Sequence, residues 1–117
     1  MQSKLSGSVK VFYPRLNKEE IVLLLLQGIK ILKTRLSLTR IVLFGSYAKG
    51  NYTVGSDVDL LVVYKGEKRD DAYAIVKKTL NIPRLEPHIY TEEEYEKMKD
   101  ILNRMTKDGV LLFSEED

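Results

Sequence analysis

The run Thr39-Arg40-Ile41-Val42-Leu43-Phe44, halted by Gly45-Ser46, constrains the fold more than any other feature of the chain. It is rich in β-branched residues and almost wholly apolar, so its pleat carries core residues on both sides. Such a strand must be buried on both faces, and it ends here in a tight turn. A second apolar run, within Asp57–Tyr64, starts polar and then loses its alternation, which describes a strand passing into the core from an exposed end. With 117 residues, the two strands belong to one core, and two-domain readings are excluded.

The rest of the chain supplies helices to cover them. Asn17 followed by Glu20 is a capping box, and Ile21, Leu24, Leu25, Gly28, Ile29 and Leu32 recur at helical spacing, predicting a first helix over about Asn17–Arg35. A helical turn is expected over Tyr47–Gly50 and a loop over Asn51–Ser56. Arg69–Leu80 has helical spacing before Pro83. Leu85–Tyr90 reads as a short strand, Thr91 with Glu94 opens a helix running to about Lys107, Gly109 ends it, and Val110–Phe113 is a last strand. Val9–Tyr13, closed by Pro14, reads as an edge strand or extended arm. The expected architecture is an α+β domain, a mixed sheet with helices mainly on one face, comprising an N-terminal arm over residues 1–16 and a single domain over 17–117.

Composition removes several functions. There is no cysteine and a single histidine, His88, which excludes disulfides, thiolate metal sites and cysteine nucleophiles. The longest apolar run, Ile21–Leu26, is far below the roughly 18 residues of a membrane span, and no targeting or anchoring segment is expected. Charge is uneven: residues 1–50 carry nine Lys/Arg against two Asp/Glu, and residues 51–117 carry ten against fifteen. Such asymmetry suits a phosphate-rich ligand or a charged partner, although solvated surface charge accounts for much of it.

Chemistry concentrates around the turn and the second strand. Residues two apart on a strand share a face, so Asp57 and Asp59 set two carboxylates side by side, a repulsive arrangement that a hard cation such as Mg²⁺ relieves. Upstream, Gly45 permits close backbone approach, Ser46 offers a hydroxyl and an N–H at a helical turn, and Lys49 adds a cation, together a phosphate seat. Gly45-Ser46, ten residues, then Asp57-Val58-Asp59 fixes four identities; at roughly 5–7% usage each, this arises by chance about once in 10⁵ start positions. His88 reads as a half-buried strand histidine, and Tyr47, Tyr52 and Tyr90 as packing residues.

Directly after Ile41–Phe44, the pattern Gly45-Ser46-x10-Asp57-x-Asp59 resembles the signature of the DNA polymerase β-like nucleotidyltransferases. The run Phe44-Gly45-Ser46-Tyr47-Ala48-Lys49-Gly50 and the small size are most similar to the minimal nucleotidyltransferases, and the resemblance covers about residues 20–113. Members commonly carry arginine where Lys49 stands, which keeps the cation but forgoes bidentate phosphate recognition. The family's third carboxylate falls on Arg84-Leu85-Glu86-Pro87-His88-Ile89-Tyr90, where Glu86 is the candidate, with Glu86, His88 and Tyr90 on one face and Leu85 and Ile89 on the other. Members often have aspartate there.

The resemblance implies two-metal nucleotidyl transfer, with Asp57, Asp59 and Glu86 as metal ligands and catalytic residues, Gly45, Ser46 and Lys49 binding the nucleotide, Mg²⁺ as cofactor and ATP as substrate. It further implies an antitoxin-like role in the cytoplasm, transferring AMP to a tyrosine of a HEPN-domain partner. Template copying is not expected, since no residues remain for fingers or thumb, and nucleic acid is not the expected substrate. Two other readings stay open: a non-catalytic module that neutralises a HEPN partner by contact, and a metal-dependent glycosyltransferase, which needs a much longer chain.

Overall fold

Asn17 opens the first helix as its spacing requires: its side chain accepts from the Glu20 N–H, and Glu20 Oε1 accepts from the Asn17 N–H, both at 2.8 Å. This is the start of α1 (Lys18–Leu32) in a computed structural model that describes residues 16–115. The Val9–Tyr13 strand and all but the last residue of the expected arm lie outside the described residues. Helix α1 buries Ile21, Leu25, Ile29 and Leu32. Four such side chains are worth roughly 6–12 kcal/mol of gross apolar burial, so packing rather than propensity holds the helix. It ends at Leu32, short of the expected Arg35, because the last turn tightens: Thr34 N–H donates to Ile31 O at 3.0 Å and Arg35 N–H to Leu32 O at 2.9 Å.

Four strands follow in one sheet, with short helices between them. They are β1 (Leu38–Phe44), β2 (Val58–Tyr64), β3 (Leu85–Thr91) and β4 (Val110–Ser114), in the spatial order β3-β2-β1-β4. β1 is antiparallel to both β2 and β4, while β2 and β3 run parallel. A parallel pair needs a crossover, and α3 (Ala72–Leu80) supplies it. The four-residue α2 (Ser46–Lys49) stands in the β1–β2 connection.

The unbroken apolar run of β1 now has its reason. Ile41 and Leu43 enter the main core with α1 and α3, whereas Val42 and Phe44 enter a second, smaller core on the opposite face. β2 divides likewise, with Val58, Leu60, Val62 and Tyr64 on the main side and Leu61 and Val63 on the other. The two longest helices thus cover one face. Two short ones, α4 (Glu92–Lys97) and α5 (Lys99–Met105), cover part of the other, burying Tyr95 and Leu102.

The single helix expected from Thr91 to Lys107 is therefore two. Its capping box is present, with Glu94 N–H donating to Thr91 Oγ1 at 3.1 Å and Thr91 N–H to Glu94 Oε1 at 2.9 Å. That amide, helped by the Lys68 ammonium, holds the Glu94 carboxyl below the ordinary carboxylate range. The break falls at Met98 (φ −109°, ψ 16°), whose N–H is shared between the carbonyls of Glu94 and Tyr95. No helix among the described residues is long and apolar enough to cross a membrane.

Candidate active site

β1 runs apolar to Phe44 and hands the chain to Gly45, whose backbone takes φ 80° and ψ −157°. That region is essentially reserved for glycine. Space makes a second, independent demand: a Cβ at Gly45 would stand 2.5 Å from Asp59 Oδ2 and 3.3 Å from Asp59 Cγ. The turn residue is thus pressed against the carboxylate fourteen positions later, because Phe44 and Asp59 are partners across the antiparallel β1–β2 pair.

Asp59, the second residue of β2, lies on the face opposite the main core, since Val58 and Leu60 on either side of it are buried with α1 and α3. On the parallel neighbour, Glu86 is the register partner of Asp59. The alternation expected for β3 is present: Leu85, Pro87 and Thr91 are buried, Glu86 is exposed, and His88 and Tyr90 are partly covered. Asp59 and Glu86 are therefore lateral neighbours on one face, on backbones spaced about 4.8 Å apart.

Asp57 lies one residue before β2, where the sequence pattern had included it in the strand. Its carboxylate pairs with Arg84, Nη2 to Oδ1 at 3.1 Å, with both side chains about half exposed. Ser46 begins α2, and its carbonyl accepts from Gly50 and Asn51; among the described residues its hydroxyl has no hydrogen-bond partner. Lys49 ends α2, exposed, and its ammonium has no partner among the described residues. The fold thus brings Gly45, Asp59 and Glu86 together, sets Ser46 next along the turn, and engages Asp57 with Arg84.

Two further residues belong to this cluster. His88, expected only to pack, has Nε2 3.3 Å from Asp59 Oδ1, and its ring lies 5.1 Å from that of Phe44. Strand alternation placed it beside Glu86, and its reach to Asp59 follows from the parallel register, which no local pattern reveals. Arg84 carried no sequence signal: a lone arginine after Pro83, it takes φ 63° and reaches back to the β1–β2 connection.

Among the described residues, no three His, Asp or Glu side chains come together as a ready metal-holding group. The donor chemistry nevertheless fits a hard divalent cation. Asp59 and Glu86 offer carboxylate oxygens on adjacent strands, and the side of Asp59 that a Cβ would fill is left open by Gly45.

Comparisons with known proteins bear on the family and the fold. A family model described as a nucleotidyltransferase domain matches residues 25–112, which spans the turn and both carboxylate strands and ends within β4. Among solved structures, the chain is similar to a candidate nucleotidyltransferase from Sulfolobus solfataricus, with TM-score 0.58 and 23% identity, covering 86% of each chain. It is similar to a toxin–antitoxin structure with AMP-PNP, with TM-score 0.56 and 20% identity, covering 78% of this chain and 74% of that one. A doubly substituted mutant of the toxin–antitoxin MntA-HpeT gives TM-score 0.52 and 20% identity, with 86% and 76% covered. A comparison with curated protein sequences gives no match. With most of its length matched by that family model, and with the polymerase β-like arrangement of strands and turn, the chain belongs to the nucleotidyltransferase domain family.

Proposed function

We propose that this protein is a Mg²⁺-dependent nucleotidyltransferase that moves AMP from ATP to a hydroxyl, the acceptor being a tyrosine of a HEPN-domain toxin that it restrains as an antitoxin in the cytoplasm. The observation that carries the reading is the approach of Gly45 to Asp59, with Glu86 alongside on the next strand. It joins a turn able to admit a phosphate to the carboxylates that nucleotidyl transfer needs.

In this reading the triphosphate lies at Gly45 and Ser46, where backbone N–H and hydroxyl donors face its oxygens, and Lys49 offsets the charge of the departing end. Asp57, Asp59 and Glu86 would hold the cation, which when bound neutralises the triphosphate and polarises the α-phosphorus. The acceptor oxygen bonds to that phosphorus, the bridge to the β-phosphate breaks, and pyrophosphate leaves. Glu86 takes the hydroxyl proton. The similarity to toxin–antitoxin structures, one of them with AMP-PNP, supports the partner and the nucleotide.

The test mixes the protein, ATP, Mg²⁺ and the product of the adjacent gene, and weighs that product. The expected result is one added AMP on a tyrosine, abolished by Asp59→Asn. Toxin neutralisation without added AMP, undiminished in an Asp57→Asn, Asp59→Asn double variant, would replace catalysis by neutralisation through contact. The ion pair that occupies Asp57 is the observation favouring that alternative.

A further inference from the structure

Arg84 stands between α3 and β3 in a left-handed backbone conformation that arginine seldom adopts. From there its guanidinium spans the gap to the β1–β2 connection. Nη2 donates to Gly55 O at 2.6 Å, Nε donates to Ser56 O at 3.2 Å, and Nη2 also pairs with Asp57 Oδ1 at 3.1 Å. Its own carbonyl accepts from the Val58 N–H at 2.9 Å. One residue therefore ties the start of β2, which brings in Asp57 and Asp59, to the strand that carries Glu86.

Two of these bonds go to backbone carbonyls and do not depend on Asp57. A guanidinium held in this way keeps its place whether or not the carboxylate stays with it. The pair with Asp57 is half exposed, and such pairs are cheap to break. A divalent cation approaching Asp59 and Glu86 takes further oxygen ligands, and the carboxylate two residues from Asp59 is the one that Arg84 holds.

Resting on the metal-dependent reading above, we propose that Arg84 is a positioning residue, the built-in counter-ion of Asp57, which offsets the repulsion among the three acids before a cation binds and yields Asp57 when one does. The planar fork suits this work because it reaches two carbonyls and a carboxylate from one anchor. The loop keeps its shape without it: Ser56 N–H donates to Thr53 O at 3.1 Å, Thr53 N–H donates to Ser56 Oγ at 2.8 Å, and Val58 remains bonded to the Arg84 carbonyl. Removing the charge should therefore act mainly on the competition for Asp57.

Mn²⁺ alone is the probe, titrated calorimetrically into the full-length, nucleotide-free protein. Removing one positive charge a few ångströms from a divalent cation in a half-exposed setting should tighten binding about fivefold in Arg84→Gln, which keeps the backbone constraint of a non-glycine residue. Arg84→Lys, retaining the charge, should stay within about twofold of wild type by the same reasoning. The Mn²⁺-induced rise in melting temperature should be larger for Arg84→Gln than for wild type, a second readout that a purely structural role would not move. Equal or weaker Mn²⁺ binding by Arg84→Gln overturns the proposal while leaving the metal site standing. Absence of Mn²⁺ binding in wild type and Arg84→Gln alike overturns both, so the two failures are distinguishable.

Discussion

Replacing Gly45 by alanine tests the closest contact in the site. The backbone there has φ 80° and ψ −157°, a region that costs a non-glycine residue of order 1–3 kcal/mol. The added Cβ would also stand 2.5 Å from Asp59 Oδ2, so the carboxylate must turn away. Forcing a side chain about 30° off its rotamer costs of order 0.5–1.5 kcal/mol, which brings the total to roughly 2–4 kcal/mol. At about 4 °C per kcal/mol for a domain of this size, the melting temperature should fall by roughly 8–16 °C. Thermal unfolding by circular dichroism measures this directly. The same substitution in an Asp59→Ala background separates the two causes, since only the backbone part of about 1–3 kcal/mol should remain. A Gly45→Ala protein melting within about 2 °C of wild type would refute both the steric and the backbone argument.

Gly50 supplies the contrast: it also has positive φ, at 84°, but nothing lies within 4 Å of an added Cβ. Gly50→Ala should therefore cost only about 1–2 kcal/mol in urea unfolding, less than Gly45→Ala in the same assay. The Glu94 carboxyl, held low by the Thr91 amide, gives a pH signature. A depressed folded-state pKa adds stability that is present above the unfolded value and lost as pH falls through the folded one. The stability gap between wild type and Glu94→Gln should accordingly be full at pH 7 and close below the ordinary glutamate range, as followed by denaturant titration across acidic pH; a gap that widens on acidification would contradict the capping-box account.

What could be read beforehand was whatever local pattern determines. An apolar residue at every position of Ile41–Phe44 required double burial, and both cores meet there. Side-chain alternation set Glu86 and His88 on one face, and the two capping boxes marked the starts of α1 and α4. What escaped was long-range or conformational. Arg84 lies 27 residues from the Asp57 it pairs with, and nothing in Pro83-Arg84-Leu85 foretells its left-handed backbone. Met98 breaks a helix without a glycine or proline, and α1 stops at Leu32 through a tightened turn that leaves no mark on periodicity. Gly45 was legible as a turn glycine, but its pressure on Asp59 depends on a cross-strand register set by the whole β1–β2 pair.

The position of β4 bears on how the chain matures during synthesis. β4 pairs with β1, yet some 66 residues separate Phe44 from Val110. As the polypeptide emerges from the ribosome, β1 and β2 come out, and can pair, before β4 does. Through that interval the outer edge of β1, from Arg40 to Leu43, has its backbone N–H and C=O groups open to another chain. Slow translation between Thr91 and Val110 would prolong the exposure, and a crowded nascent chain would be most exposed to edge-to-edge mispairing at that stage.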